Sequence, residues 1–143
     1  MKFSKLVLAL PLLVSQSIFA LTSDKPDTCP SPKALALVGV SNAETIDDGH
    51  LWLTYRPSNS FETTNKWTLV IAPIEAKSAS EAISKVNKSI SNLALLEGPE
   101  EEDGMWGCIY SNSDNSLMAI TITPPVFIGW KNLTHKFNVK ISH

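Results

Sequence analysis

WTLVIAPIEAKSASEAISKVNKSISNL, residues 67–93, reads as a strand running straight into a helix. Trp67, Leu69 and Ile71 alternate with Thr68, Val70 and Ala72 in a β-branched and aromatic run, and Pro73 is expected to close the strand. Ser78 and Glu81 have the S-x-x-E spacing of a capping box, which marks a helix start. From there Ala79, Ala82, Ile83, Val86, Ile90, Leu93 and Ala94 recur three or four apart, while Lys77, Lys85, Asn87 and Lys88 lie off that stripe. Such a stripe must be buried, and the other apolar runs of the chain are strand-like, so its partner is a sheet.

Working outward, the first 20 residues carry the marks of an export signal. Lys2 and Lys5 precede an apolar region, Leu6 to Val14, and Ser15 to Ala20 approaches a cleavage site after Ala20. The apolar region is shorter than the roughly 20 residues that span a bilayer, and no transmembrane segment is expected after cleavage. Of 143 residues, removal of the first 20 leaves 123, a length that suits one domain. Twelve Lys and Arg less Lys2 and Lys5 leave ten against fourteen Asp and Glu, so the mature net charge is −4. Arg56 is the sole arginine, and no basic cluster could track a phosphate backbone; nucleic acid is excluded as a partner. Cys29 and Cys108 are the two cysteines, and in an exported chain they are expected to pair. The localisation expected is periplasmic or secreted.

Residues 21–33 carry Pro26, Pro30 and Pro32 and read as an irregular lead-in. ALALVGV, Ala34 to Val40, is expected to be a short buried strand, and Asp47-Asp48-Gly49 a turn. In HLWLTYR, His50 to Arg56, Leu51, Leu53 and Tyr55 are expected to face a helix-covered core, with His50, Trp52, Thr54 and Arg56 on the opposite face. Glu97 to Gly104 reads as an acidic loop, and Trp106 to Ser111 with Leu117 to Thr123 as a hairpin ended by Pro124-Pro125. Residues 126–143 hold Lys131, Lys136, Lys140, His135 and His143 without one acidic side chain, and read as a basic, aromatic C-terminal extension. The fold class that follows is α+β: an antiparallel sheet of about five strands, one amphipathic helix packed on one face, order β-β-β-α-β-β, with the domain spanning 34–125.

An enzyme is not indicated. The chain has no G-x-S-x-G elbow, no H-E-x-x-H and no phosphate-cradling glycine loop. His50 close to Asp47 and Asp48 lacks a marked nucleophile, and the acidic loop lacks the D-x-D-x-D-G order of a calcium site. A flat apolar ligand such as haem needs an aromatic surface, an axial ligand and a cation for its propionates. Trp52, His50 and Arg56 offer one of each, and Tyr55, Met118 and His135 are further candidate ligands.

CPSP at Cys29 to Pro32, the strand-helix segment, and WGC at Trp106 to Cys108 give the chain a resemblance to small exported proteins of Legionella-type bacteria. One member of that family is described as haemin-binding, and the resemblance implies haem as a ligand without assigning residues to it. The expectation is thus an exported, non-enzymatic binding protein with haem as its cofactor candidate. The alternative is a protein-interaction module acting on an envelope or host protein, motivated by the contrast between the acidic Glu97 to Asp103 segment and the basic extension.

Overall fold

The computed structural model describes residues 23–126. The export signal read at residues 1–20 and the extension beyond Val126 lie outside them. The elements are α1 (Pro32–Val38), β1 (Asn42–Thr45), β2 (Leu51–Asn59), β3 (Trp67–Glu75), α2 (Ala79–Ser89) running into a 3-10 turn (Ile90–Asn92), β4 (Ala94–Glu102), β5 (Met105–Ser111) and β6 (Met118–Thr123). All strand pairs are antiparallel, in the order β1-β2-β3-β6-β5-β4. The class is α+β as expected, with six strands in place of five.

The strand-helix unit forms as its sequence indicates. Glu81 N–H donates to Ser78 Oγ at 3.2 Å, which caps α2. The return bond of the capping box goes one residue further back, from Lys77 N–H to Glu81 Oε2 at 2.6 Å. Ala82, Val86, Ile90 and Leu93 are buried, and Ala94 leaves the stripe to open β4. Pro73 does not close β3. Pairing of β3 with β6 ends at Ala72, and the β2 register shifts between Trp52 and Thr54, so Pro73 sits where neither neighbour needs its missing donor.

Two further expectations are corrected. Ala34 to Val40 is not a strand, because Pro32 to Val38 is helix. Ser31 accepts from Ala34 N–H, Pro32 stands in the first turn, and Gly39 ends the helix at φ 72° with its N–H on Leu35 O. The positive φ calls for glycine, and a Cβ there would also meet Asn87 Oδ1 at 2.5 Å and displace a side chain that bonds Val40. The expected Asp47-Asp48-Gly49 turn is preceded by an edge strand, Asn42 to Thr45, that the sequence does not announce. The acidic segment is no loop but most of β4, the other edge strand; Gly98 and Pro99 fall where its register with β5 is interrupted between Glu97 and Glu100, a position an edge strand tolerates.

Both faces of the sheet are apolar. On the first, α1 and α2 cover Trp67, Leu69 and Ile71 of β3 together with Cys108, Tyr110 and Ala119. On the second lie Leu53, Val70, Met105, Ile120 and Ile122, with no helical residue among them. The lead-in is stitched to the first face by three alternate residues of β5. Trp106 Nε1 donates to Ser23 O at 3.2 Å, Cys108 is joined to Cys29, and Tyr110 OH donates to Pro30 O at 2.6 Å. Burial pushes the Tyr110 phenol up to about 12. For an acid raised in the folded state, the contribution to stability is complete below the unfolded pKa near 10 and is lost as pH rises through about 12.

The Cys29–Cys108 bond closes a separation of 79 residues, for which chain entropy gives about 4 to 5 kcal/mol as an upper figure. Cys29→Ser with Cys108→Ser is expected to lower the thermal midpoint by at least several degrees. Mass spectrometry of unreduced protein after alkylation checks the bond itself: two modified thiols would show it absent.

Candidate functional site

The predicted ligand-binding face of β2 is the helix-covered one, which reverses the expected assignment of faces. Trp52 packs half-buried into the first cluster and its indole N–H donates to Ala76 O at 2.9 Å. Arg56 donates from Nε to Gly39 O and from NH2 to Val38 O, both at 2.9 Å, and so satisfies carbonyls at the C-terminal end of α1. Leu53 and Tyr55 point instead to the second face. The reversal has a simple cause: a helix stripe of small and aliphatic residues leaves room for Trp52 at its margin, while α1, unforeseen in the sequence, supplies the carbonyls that Arg56 needs.

His50 is exposed in the β1–β2 turn. Its backbone N–H and that of Leu51 donate to Asp47 Oδ1 at 3.0 and 2.9 Å. The Leu51 bond, followed by the His50 bond, holds the Asp47 carboxyl below the usual carboxylate range. Met118 is 38% exposed at the start of β6, where it alternates with Ile120 and Ile122 on the second face. His135 lies outside the described residues. The structure thus divides the five nominated ligand residues that it describes: Trp52 and Arg56 are held within the helix-side packing, Tyr55 and Met118 share the opposite face, and His50 stands at a turn.

What the sequence reading missed is the chemistry of β4. Strand register sets Glu97 opposite Ile109, Glu100 opposite Gly107, and Glu102 opposite Met105, so three carboxylates flank second-face positions of β5. With Glu101 they border a cavity of about 210 Å³ floored by Gly107, Ile109 and Ile120. The glutamates are exposed and the floor is largely buried, giving an apolar strip with an anionic margin. Among the described residues, no three His, Cys, Asp or Glu side chains are placed to hold one metal ion. The signal was available in GPEEE, but its breakers concealed that every second carboxylate would belong to one face.

A larger groove of about 510 Å³ opens between α2, the 112–117 turn and the ends of β2 and β3, lined in part by Leu51, Ile74, Lys85 and Leu117. Lys85, its cation, already donates to Glu75 O at 2.8 Å and lies 3.7 Å from Glu81. It offers a mixed surface whose cation is already engaged.

The chain belongs to the family of a domain of unknown function (DUF4949), whose model matches residues 28–132. No curated protein and no solved structure matches it. The family match begins beside Cys29 and continues six residues past Val126. Among the described residues, no helix is long and apolar enough to cross a membrane.

Arg56→Met keeps the aliphatic stem and removes the two bonds to α1. Two carbonyls would then need new partners, and stability is expected to fall by about 1.5 to 3 kcal/mol. Urea unfolding checks this; an unchanged midpoint would free Arg56 from its structural role.

Proposed function

We propose that this is an exported, non-enzymatic binding protein whose second sheet face receives a cationic, amphipathic segment of a protein partner. The observation that carries the reading is the apolar floor of Gly107, Ile109 and Ile120 bordered by Glu97, Glu100, Glu101 and Glu102. Apolar side chains of a partner would gain burial on the floor, while lysine or arginine would meet carboxylates at its margin. The net negative charge of the chain favours the same class of partner at longer range. Export is supported by the Cys29–Cys108 bond, which suits an oxidising compartment, and by the signal-like first 20 residues.

Haem is the second reading. It is favoured by Tyr55 and Met118, two side chains of ligand type beside the apolar second face, and by the resemblance to a haemin-binding family member. The glutamate margin counts against it, since haem propionates would be repelled there, and Arg56 is committed to α1. Charge therefore ranks the cationic partner first.

The test is fluorescence titration of the full chain with a labelled short peptide of alternating lysine and leucine, against Glu100→Lys with Glu102→Lys. The glutamate reversals are expected to weaken the complex tenfold or more at low salt, with the difference shrinking as salt screens the pair. Affinity unaltered by the reversals would overturn the reading. Haemin added to the same protein separates the alternatives: a shifted Soret band that Tyr55→Phe or Met118→Ala abolishes would place haem first.

A further inference from the structure

Residues 23–31 lie on the first face without joining it as a helix or a strand. They are polar and mostly exposed, and the two that are buried are Pro26 and Pro30. Ser31, the last of them, has φ −74° and ψ 150°, which are polyproline II values. The side chains that receive this segment come from alternate positions of β5. Trp106 Nε1–H donates to Ser23 O at 3.2 Å and Tyr110 OH donates to Pro30 O at 2.6 Å. The Lys25 ammonium stands 5.9 Å from the centre of the Trp106 ring. Between the two aromatic residues, Cys108 is bonded to Cys29.

These are the means by which aromatic surfaces take up proline-bearing peptides. Proline rings pack among the aromatic side chains, while indole and phenol groups donate to carbonyls that an extended chain without internal hydrogen bonds leaves free. A core segment is held by its apolar side chains, and this one has only its two prolines and half-buried Cys29 to offer. Proline is already fixed near its bound backbone angle, so such a segment loses little conformational freedom on docking. Apart from the crosslink, the contacts ask for a basic residue, a proline after it and a second proline four residues on. Another chain with that pattern can make all of them.

We propose that Trp106, Cys108 and Tyr110 form a recognition groove for a proline-bearing extended segment of another protein, kept closed by residues 23–31 as a tethered copy of that ligand. The crosslink is its lock. A dithiol reductant opens it by thiol–disulfide exchange. One thiolate attacks Cys29 Sγ, since Cys108 is 0% exposed, and Cys108 leaves as a thiolate that takes a proton. The second thiolate then closes the reductant's own disulfide and releases Cys29 as a thiol, so two electrons and two protons pass from the dithiol to the cysteines. The groove lies on the first face, whereas the cationic segment of the proposed function binds the second, and the two readings fail separately.

The test uses the full chain reduced with dithiothreitol, together with a peptide of residues 23–31 carrying Cys29→Ser, supplied at millimolar concentration to compete with the tethered copy. Alkylation of Cys108 reports the groove. Cys108 is expected to react while the amides of β3 and α2 keep their protection from hydrogen exchange. The peptide is expected to slow that reaction severalfold by occupying the groove, and the same peptide with Pro26→Ala and Pro30→Ala to leave it unchanged. Equal effects of the two peptides, or no effect of either, would overturn the groove. Reaction of Cys108 only as β3 loses protection would show the segment to be core and not ligand. A variant then weakens the tethered copy directly: Cys29→Ser and Cys108→Ser with Pro26→Ala and Pro30→Ala. Fluorescence anisotropy of the labelled proline peptide is expected to show binding about tenfold tighter than to oxidised wild type, the internal competitor being lost. Equal affinity would overturn the lock.

Discussion

β3 is buried on both sides, and the architecture follows from that. Its even and odd residues send Trp67, Leu69 and Ile71 one way and Thr68 and Val70 the other, all within 3% exposure or less. A central strand of this kind requires two covers. The helices supply the first, through a stripe whose buried members are small or aliphatic, and they draw in Trp52 and Arg56 as packing and capping residues. The second cover cannot come from either helix, and the surface left for it carries both the remaining apolar residues of the sheet and the glutamate margin of β4.

The lead-in is bound by the alternation of one strand. Trp106, Cys108 and Tyr110 meet Ser23, Cys29 and Pro30 in turn, by an indole bond, a covalent bond and a phenol bond. Their order along β5 sets the path of the chain into α1, whose end is then fixed by Arg56 and by the paired bonds of Asn87 to Val40 N–H and C=O. An early segment with few apolar residues thus gains its position from a strand far away in sequence. The crosslink and the helix-side core lie on the same face of the sheet.

Elements with a strong local period were legible in the sequence. α2, β5 and β6 are legible close to their limits, β3 is legible except at its end, where Pro73 reads as a stop although the strand runs to Glu75, and the Cys29–Cys108 pairing follows from compartment and count alone. α1 was missed because ALALVGV is too short to show a period, although Ser31, Pro32 and Gly39 bracket it with a helix start and stop. β4 was missed because Gly98 and Pro99 read as breakers, and a breaker on an edge strand marks an irregularity rather than an end. The face of β2 was inverted for a different reason: alternation divides residues into two sets without saying which set a helix will cover. Of the nominated ligands, Tyr55 and Met118 lie on the open face, Trp52 and Arg56 do not, and the carboxylates that distinguish that face became visible only once register aligned Glu97, Glu100 and Glu102 with Ile109, Gly107 and Met105.

The central claim is the proposal that the second sheet face, besides its share of the core, binds a cationic segment along its glutamate margin. Backbone amide NMR of the full chain during titration with a cationic amphipathic peptide tests it residue by residue. The account predicts that shifts concentrate on β4, on Gly107 and Ile109 of β5, and on Ile120 and Ile122 of β6, while α2, Trp52 and the Asp47–His50 turn stay unmoved. Shifts centred on α2 and the Trp52–Arg56 strand face, with β4 silent, would contradict it.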